Sequence, residues 1–377
     1  MITIPETYTA SRTQFYNSLA AVQKLWPAAH LEKHVLAGNE DLSIDWIWAD
    51  ALEKKEKVLL VTTGEHGIEG YVGAALMQLF IGEFLPNLNP KNTGLLLVHA
   101  INPWGMHHRR RVNANNVDLN RSFIHDFSNL ASSNPDYDLL YPLLNPSSPL
   151  QVMSLHIAGF VVQAIYNLAR HGMSRLREAT LKGQFKHPKG IYFGGQAPQE
   201  ETQAMMSLFE RCISGYGQML TIDLHSGYGP RDQMILVASA QEKMTSEEMV
   251  KRYGIPNVAA ANPEEFYSIQ GDMIEYLYSL MKEKFPGRPF FAATCEFGTF
   301  GDSTLAVIRS LYTSVFENRL FWNGGSQAAR KWMAREYTEL FAPVAPEWLE
   351  NAQAIARQAF LGLLKAEGYT ASAHIVA

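Results

Sequence analysis

Four short apolar runs, each ending in residues of a turn or a site, constrain this chain most: residues 58–63 (VLLVTT), 95–100 (LLLVHA), 219–224 (MLTIDL) and 290–294 (FFAAT). Runs this short, rich in branched and large side chains, read as buried strands. The last of them follows the turn Pro286-Gly287-Arg288-Pro289. Helical spacing fills the intervals, over 71–84 and over 271–285, where Met273, Ile274, Leu277, Leu280 and Met281 share one face. Strands alternating with helices predict an α/β fold, a single domain with a mixed, mostly parallel central sheet flanked by helices.

Residues 128–149 are rich in Asn, Ser, Pro and Asp and predict a long irregular loop. Candidate site residues fall on both sides of it, so it reads as part of a rim insertion around 128–200, with a helix near 152–170, and not as a domain linker. One domain over 1–377 is expected, closed by a helical segment 327–366 made of helices at 327–341 and 346–366; the second carries Leu349, Ala352, Ala356, Phe360 and Leu363. With 47% hydrophobic and 18% charged residues and no long Pro, Gly or Ser tract, the whole chain is expected to fold.

A net charge of −5 gives no global attraction to nucleic acid or to anionic membranes, so neither is expected as a partner. The first 30 residues lack the basic start and apolar stretch of a secretory signal, and no run reaches the roughly 20 apolar residues of a membrane span. The two cysteines, Cys212 and Cys295, read as buried apolar filler. Cytoplasmic residence is the expectation.

The first run leads into Gly64-Glu65-His66-Gly67-Ile68-Glu69-Gly70 and then a helix. A His and a Glu in a glycine-bearing turn at a strand's carboxyl end lie where ligand sites collect in open α/β sheets. Zinc accepts two His and one carboxylate and leaves its fourth position open, the ligand set of a catalytic site. His225, in Asp223-Leu224-His225-Ser226-Gly227 at another strand end, supplies the second imidazole. Any one of the 12 histidines alone is more often a surface or satisfied core residue, but packing does not call for this combination.

Between the two halves, His107-His108-Arg109-Arg110-Arg111 reads as a solvated basic face or a phosphate patch, and neither explains why it leads into Asp118-Leu119-Asn120-Arg121. A guanidinium fork suits a carboxylate, and an asparagine amide adds a donor beside it. Glu296 ends the fourth run, where a lone carboxylate is costly unless paired or employed. That place makes it the candidate general base, with a buried salt-bridge partner as the plainer reading.

His66-Gly67-Ile68-Glu69, Asn113-Ala114-Asn115-Asn116-Val117-Asp118-Leu119-Asn120-Arg121, Asp223-Leu224-His225-Ser226 and Glu296-Phe297-Gly298-Thr299 together resemble the M14 zinc carboxypeptidases, in the branch called DUF2817. The resemblance runs from about position 58 to 300, and its second motif is the specific one. It implies one zinc per chain on His66, Glu69 and His225, a substrate carboxylate on Asn120 and Arg121, carbonyl polarisation by Arg111, and Asp118 fixing the ring of His66. Glu296 would take a proton from water and return it to the leaving amine. Tyr267 is the nearest equivalent of the family's mobile-loop tyrosine, whereas Tyr276 and Tyr278 fall inside a helix and read as packing residues.

The implied activity is cleavage of an amide bond next to a free carboxylate, as a carboxypeptidase of small peptides; the long stretch between Glu69 and His225 predicts a narrowed cleft. The alternative is an N-acyl amino acid deacylase like aspartoacylase and succinylglutamate desuccinylase, relatives that carry a β-rich C-terminal domain. A third reading, of a different class, is a non-catalytic zinc- or peptide-binding protein on the same fold.

Overall fold

A computed structural model describes residues 2–128, 130, 134–260 and 270–370. All four apolar runs become strands of one sheet. Its strands are β1 (His30–Val35), β2 (Ser43–Ala49), β3 (Lys57–Thr63), β4 (Thr93–His99), β5 (Gln218–Ser226), β6 (Met234–Ala238), β7 (Val258–Ala260) and β8 (Phe290–Phe297). They lie in the order β1-β2-β4-β3-β5-β8-β6-β7. The pairs β3/β4, β3/β5, β5/β8 and β6/β7 are parallel and the other three antiparallel. This is the mixed, mostly parallel sheet expected from the alternation of strands and helices.

Both faces of the central strands are covered, which is why those strands read as unbroken apolar runs. Leu59, Val61, Leu220 and Ile222 point into one core with Tyr71, Leu76, Phe80 and Phe360 from helices Gly70–Glu83 and Pro346–Ala366. Their neighbours Val58, Leu60 and Met219 point into a second core with Phe209 and Leu277 from helices Glu200–Ser214 and Met273–Lys284. Cys212 and Cys295 are free and buried, one in each core. Tyr276 and Tyr278 are packed in the second core, as their helical setting predicts.

Segment 128–149 is not irregular throughout, contrary to expectation, because Pro135–Leu144 is a helix. Asn134 caps it by accepting from the N–H of Tyr137 (3.0 Å), and Pro135 takes its first position. The Asn and Pro that made the segment look like a loop are thus the start signal of a helix. The next helix also outruns its expected end, spanning Met153–Leu181 with a break at Gly172 (φ 81°). These two helices build a third apolar cluster with helices Thr304–Asn323 and Gln327–Phe341, in which the ring of Phe160 meets Phe316 at 5.6 Å. No helix among the described residues is long and apolar enough to cross a membrane.

Register positions the site. In the parallel ladders Thr63 is opposite Leu224 and His225 opposite Glu296, so the carboxyl ends of β3, β5 and β8 sit side by side. Gly64 (φ 73°) turns the chain out of β3, and a Cβ there would lie 2.9 Å from Cα of Ala100. At Gly67 a Cβ would fall 2.1 Å from the carbonyl carbon of Gly105. That close approach lets the N–H groups of Gly67 and Ile68 bond the carbonyls of Arg111 (3.1 Å) and Arg110 (3.0 Å), which fixes the arginine segment against the His-Glu turn.

Candidate metal centre

His225 is the hub of the site. Its Nδ1 lies 3.2 Å from Glu69 Oε2 and 3.8 Å from Glu296 Oε1, whereas its Nε2 is bonded to Asp223 Oδ2 and lies 3.4 Å from Glu65 Oε2. His66 stands edge-on to it, with ring centroids 5.0 Å apart. Backbone and side chain hold the carboxylates in turn: the N–H of Ser226 donates to Glu69 Oε2 (3.0 Å), and Thr62 Oγ1 donates to Asp223 Oδ1 (2.6 Å).

Among the described residues, two groups of possible ligand atoms lie mutually within 4.8 Å: Glu65, His66 and His225, and Glu69, His225 and Glu296. The expected trio of His66, Glu69 and His225 therefore spans both groups, joined through His225. Arg111 lies between its other two members, with Nη1 donating to Glu69 Oε1 (2.9 Å) and Nη2 meeting His66 Nε2. The donor set fits a cation. Nδ1 of His66 and Nδ1 of His225 are both buried without a hydrogen-bond partner, and so are Glu65 Oε1 and Glu296 Oε2. Buried polar atoms are ordinarily satisfied, so the unpartnered Nδ1 of His225, beside Glu69 and Glu296, asks for a partner.

Burial and charge divide the roles. His66, Glu65, Glu69, Asp118, Asp223 and His225 are all sealed from solvent. Beside them, the side chains of Glu296 (18% exposed) and Arg111 (20%) open outward. Burial, and then the charges of Arg111 and His225, hold His66 well below its ordinary pKa, as a neutral ligand requires. Burial also opposes the charged form of His225, but Asp223, Glu65 and Glu69 outweigh it and raise its pKa well above the ordinary value. Burial is the main cause that pushes Glu65 up to about 8 and Glu296 up to about 7.

The arginine run does not form one basic face. Arg109 stacks over Tyr71, and Arg110 is buried against Glu317 (2.7 Å); only Arg111 enters the site. Asp118 faces His66 Nδ1 at 3.5 Å, but its hydrogen bond is from Arg111 Nε to Oδ2 (3.2 Å), so it orients the guanidinium directly. Asn120 Oδ1 accepts from the N–H of Met273 (2.9 Å), which ties it to the start of a helix. Arg121 is buried, and its Nε has no partner. Of the expected carboxylate-binding pair, Arg121 thus has the unused donor. Tyr267 lies outside the described residues.

Sequence reasoning passed over Glu65 and Asp223. Asp223 sits two residues before His225 on one strand, hence on the same face, and that spacing could have identified it. It also passed over Tyr192, which has φ 56° and lies close enough to Arg111 for that charge to lower its pKa against the larger upward effect of burial.

Fold and cluster define a mixed α/β protein with a possible His/Glu metal-binding group at its strand ends. More narrowly, the chain belongs to the family described as "Protein of unknown function (DUF2817)", whose model matches residues 5–354. No curated protein matches the chain in sequence. Among solved structures it is similar to carboxypeptidase A from Helicoverpa armigera (13% identity, TM-score 0.47), covering 88% of this chain and 73% of that one. It is also similar to bovine thrombin-activatable fibrinolysis inhibitor (14%, TM-score 0.44, 84% and 96%). Murein-tripeptide amidase from Escherichia coli O157 is a third (18%, TM-score 0.37, 80% and 95%). Likeness at this level carries nothing about reaction or substrate.

Proposed function

We propose that the chain is a zinc-dependent hydrolase that cleaves an amide bond next to a free carboxylate, acting as a carboxypeptidase on small peptides. The observation that carries this reading is the convergence of the unpartnered Nδ1 of His225 with the carboxylates of Glu69 and of the partly exposed Glu296, with the His66 ring edge-on at 5.0 Å. His66, Glu69 and His225 would hold the ion. Bound there, zinc would supply Lewis-acid polarisation of the scissile carbonyl and acidify water.

Glu296 accepts the proton of the attacking water and delivers it to the departing nitrogen, a task suited to a carboxyl held near neutrality. Arg111 stays charged beside Asp118 and Glu69, and its exposed edge donates to the carbonyl oxygen as negative charge develops there. Arg121 receives the substrate carboxylate. Asp223 and Glu65 hold the far side of the His225 ring.

The deacylase reading is disfavoured by one observation. Beyond β8 the described residues carry three long helices, Thr304–Asn323, Gln327–Phe341 and Pro346–Ala366, and no strand of the sheet. A non-catalytic binder would not need an exposed carboxyl next to its ligands. The test is metal analysis together with a screen of C-terminally free peptides and N-acyl amino acids. About one zinc per chain, lost in a His66→Ala/His225→Ala double variant, supports the site. Metal content unchanged by that substitution would refute the assignment, and turnover confined to N-acyl amino acids would transfer it to the deacylase reading.

A further inference from the structure

The outer layer holds a second concavity, of about 430 Å³, between the end of helix Pro135–Leu144, the loop 184–190 and the last turns of helix Thr304–Asn323. None of its lining residues belongs to the candidate metal centre. The lining includes Lys186, His187, Lys189 and Arg319 and no Asp or Glu, in a chain whose acidic residues outnumber its basic ones.

Arg319 is the key residue. It is only 6% exposed, and Ser148 and Pro149 fix one side of its fork through neutral oxygens alone, with Nε donating to Ser148 O and Nη2 to Ser148 Oγ. Among the described residues its hydrogen-bond partners are the oxygens of Ser148 and Pro149, with no carboxylate among them and none on Nη1. Burial alone lowers its pKa, with no acid nearby to raise it. A structural clamp on segment 148–149 explains Nε and Nη2. It does not explain a largely buried guanidinium with no counter-charge, which is costly.

Among the described residues Lys189 has no carboxylate partner either, and its Nζ stands 5.1 Å from the ring centre of Trp322. Lys186 and His187 share the single carboxylate of Asp138, at 2.8 and 2.7 Å. Four basic side chains thus border one concavity with one acid between them. Trp322 and Tyr141, each 39% exposed, add flat apolar walls.

We propose that this concavity is an anion site that binds the phosphate group of a small phosphorylated molecule, with Arg319 and Lys189 as its principal cations and Trp322 as a wall for the organic part. A phosphate is favoured over a carboxylate because its two charges and three free oxygens can serve several separate donors at once.

Calorimetric titration of the full chain with inorganic phosphate, phenyl phosphate and acetate tests this. Saturable binding of one phosphate per chain is expected, tighter for phenyl phosphate and absent for acetate. Lys189→Ser and Arg319→Gln should each weaken it about tenfold or more, as loss of a charge-assisted hydrogen bond implies. Arg319 is buried and its substitution could unfold the chain, so Lys189→Ser and Trp322→Ala, both at exposed positions, keep the test decisive. Arg121→Met should leave the binding intact. No saturable phosphate binding, affinity unchanged in both exposed variants, or loss of binding in Arg121→Met but not in Lys189→Ser would each overturn the proposal.

Discussion

His225 has carboxylates on both sides of its ring, with Glu69 and Glu296 towards Nδ1 and Asp223 and Glu65 towards Nε2. With the metal on the Nδ1 side, as the proposed function has it, the second side is where the ring's orientation and basicity are set. Asp223→Asn keeps the shape of the partner but removes its charge. Zinc affinity measured by chelator competition should fall about 10- to 100-fold; an unchanged affinity would show that Asp223 does not act on the ring. A second histidine makes a prediction about stability. His99 is buried, bonded to Ser11 Oγ (2.8 Å) and stacked on Phe15 at 5.2 Å, and burial holds its pKa down at about 4. The unfolded chain therefore takes up this proton near pH 6.5, well before the folded chain does. The stabilisation is fully present above pH 6.5 and is lost as the pH falls towards 4. Urea unfolding should show the advantage of wild type over His99→Gln shrinking by about 2 kcal/mol between pH 7 and pH 5. A constant gap would mean that His99 takes up its proton in the fold as readily as in the unfolded chain.

At the scale of elements, the helix Gly70–Glu83 sits directly on the strands that carry the site. A Cβ at Gly73 would fall 1.6 Å from Thr63 Oγ1 and 3.4 Å from the carbonyl oxygen of Leu224. Gly73→Ala should therefore force helix and sheet apart and cost about 1–3 kcal/mol in urea unfolding; a neutral effect would mean that the helix is not seated this closely. The same packing explains what was legible in the sequence. β3, β4, β5 and β8 are covered on both faces and announce themselves as apolar runs. β1 is largely exposed along its length, β2 (SIDWIWA) interleaves polar residues, and β6 and β7 are short, so none of the four carried such a signal. Helix Thr304–Asn323 lies before the helical segment expected over 327–366. His66, Glu69, His225 and Glu296 were legible because each stands at or just past the end of a readable strand. Glu65 and Asp223 become meaningful only when β3 and β5 are paired, and pairing is not written in either run.

For the whole molecule, the sheet brings residues from four separate stretches to one edge, and the outer helices complete the shell around it. With Arg121 buried and a donor unused, an amidated substrate end would leave a guanidinium unpaired, so amidation of any accepted substrate should depress kcat/KM strongly. Equal turnover of free and amidated forms would remove Arg121 from that role. The central claim is that His66, Glu69 and His225 hold the metal while Glu296 handles the protons. Zinc content, thermal stability and kcat of Glu296→Gln, measured beside wild type, test it most directly. The account predicts about one zinc per chain and an unchanged fold, with kcat lower by about 10²- to 10⁴-fold and KM little altered. Loss of the metal would make Glu296 a ligand, and retained turnover would place the base elsewhere; either result contradicts the account.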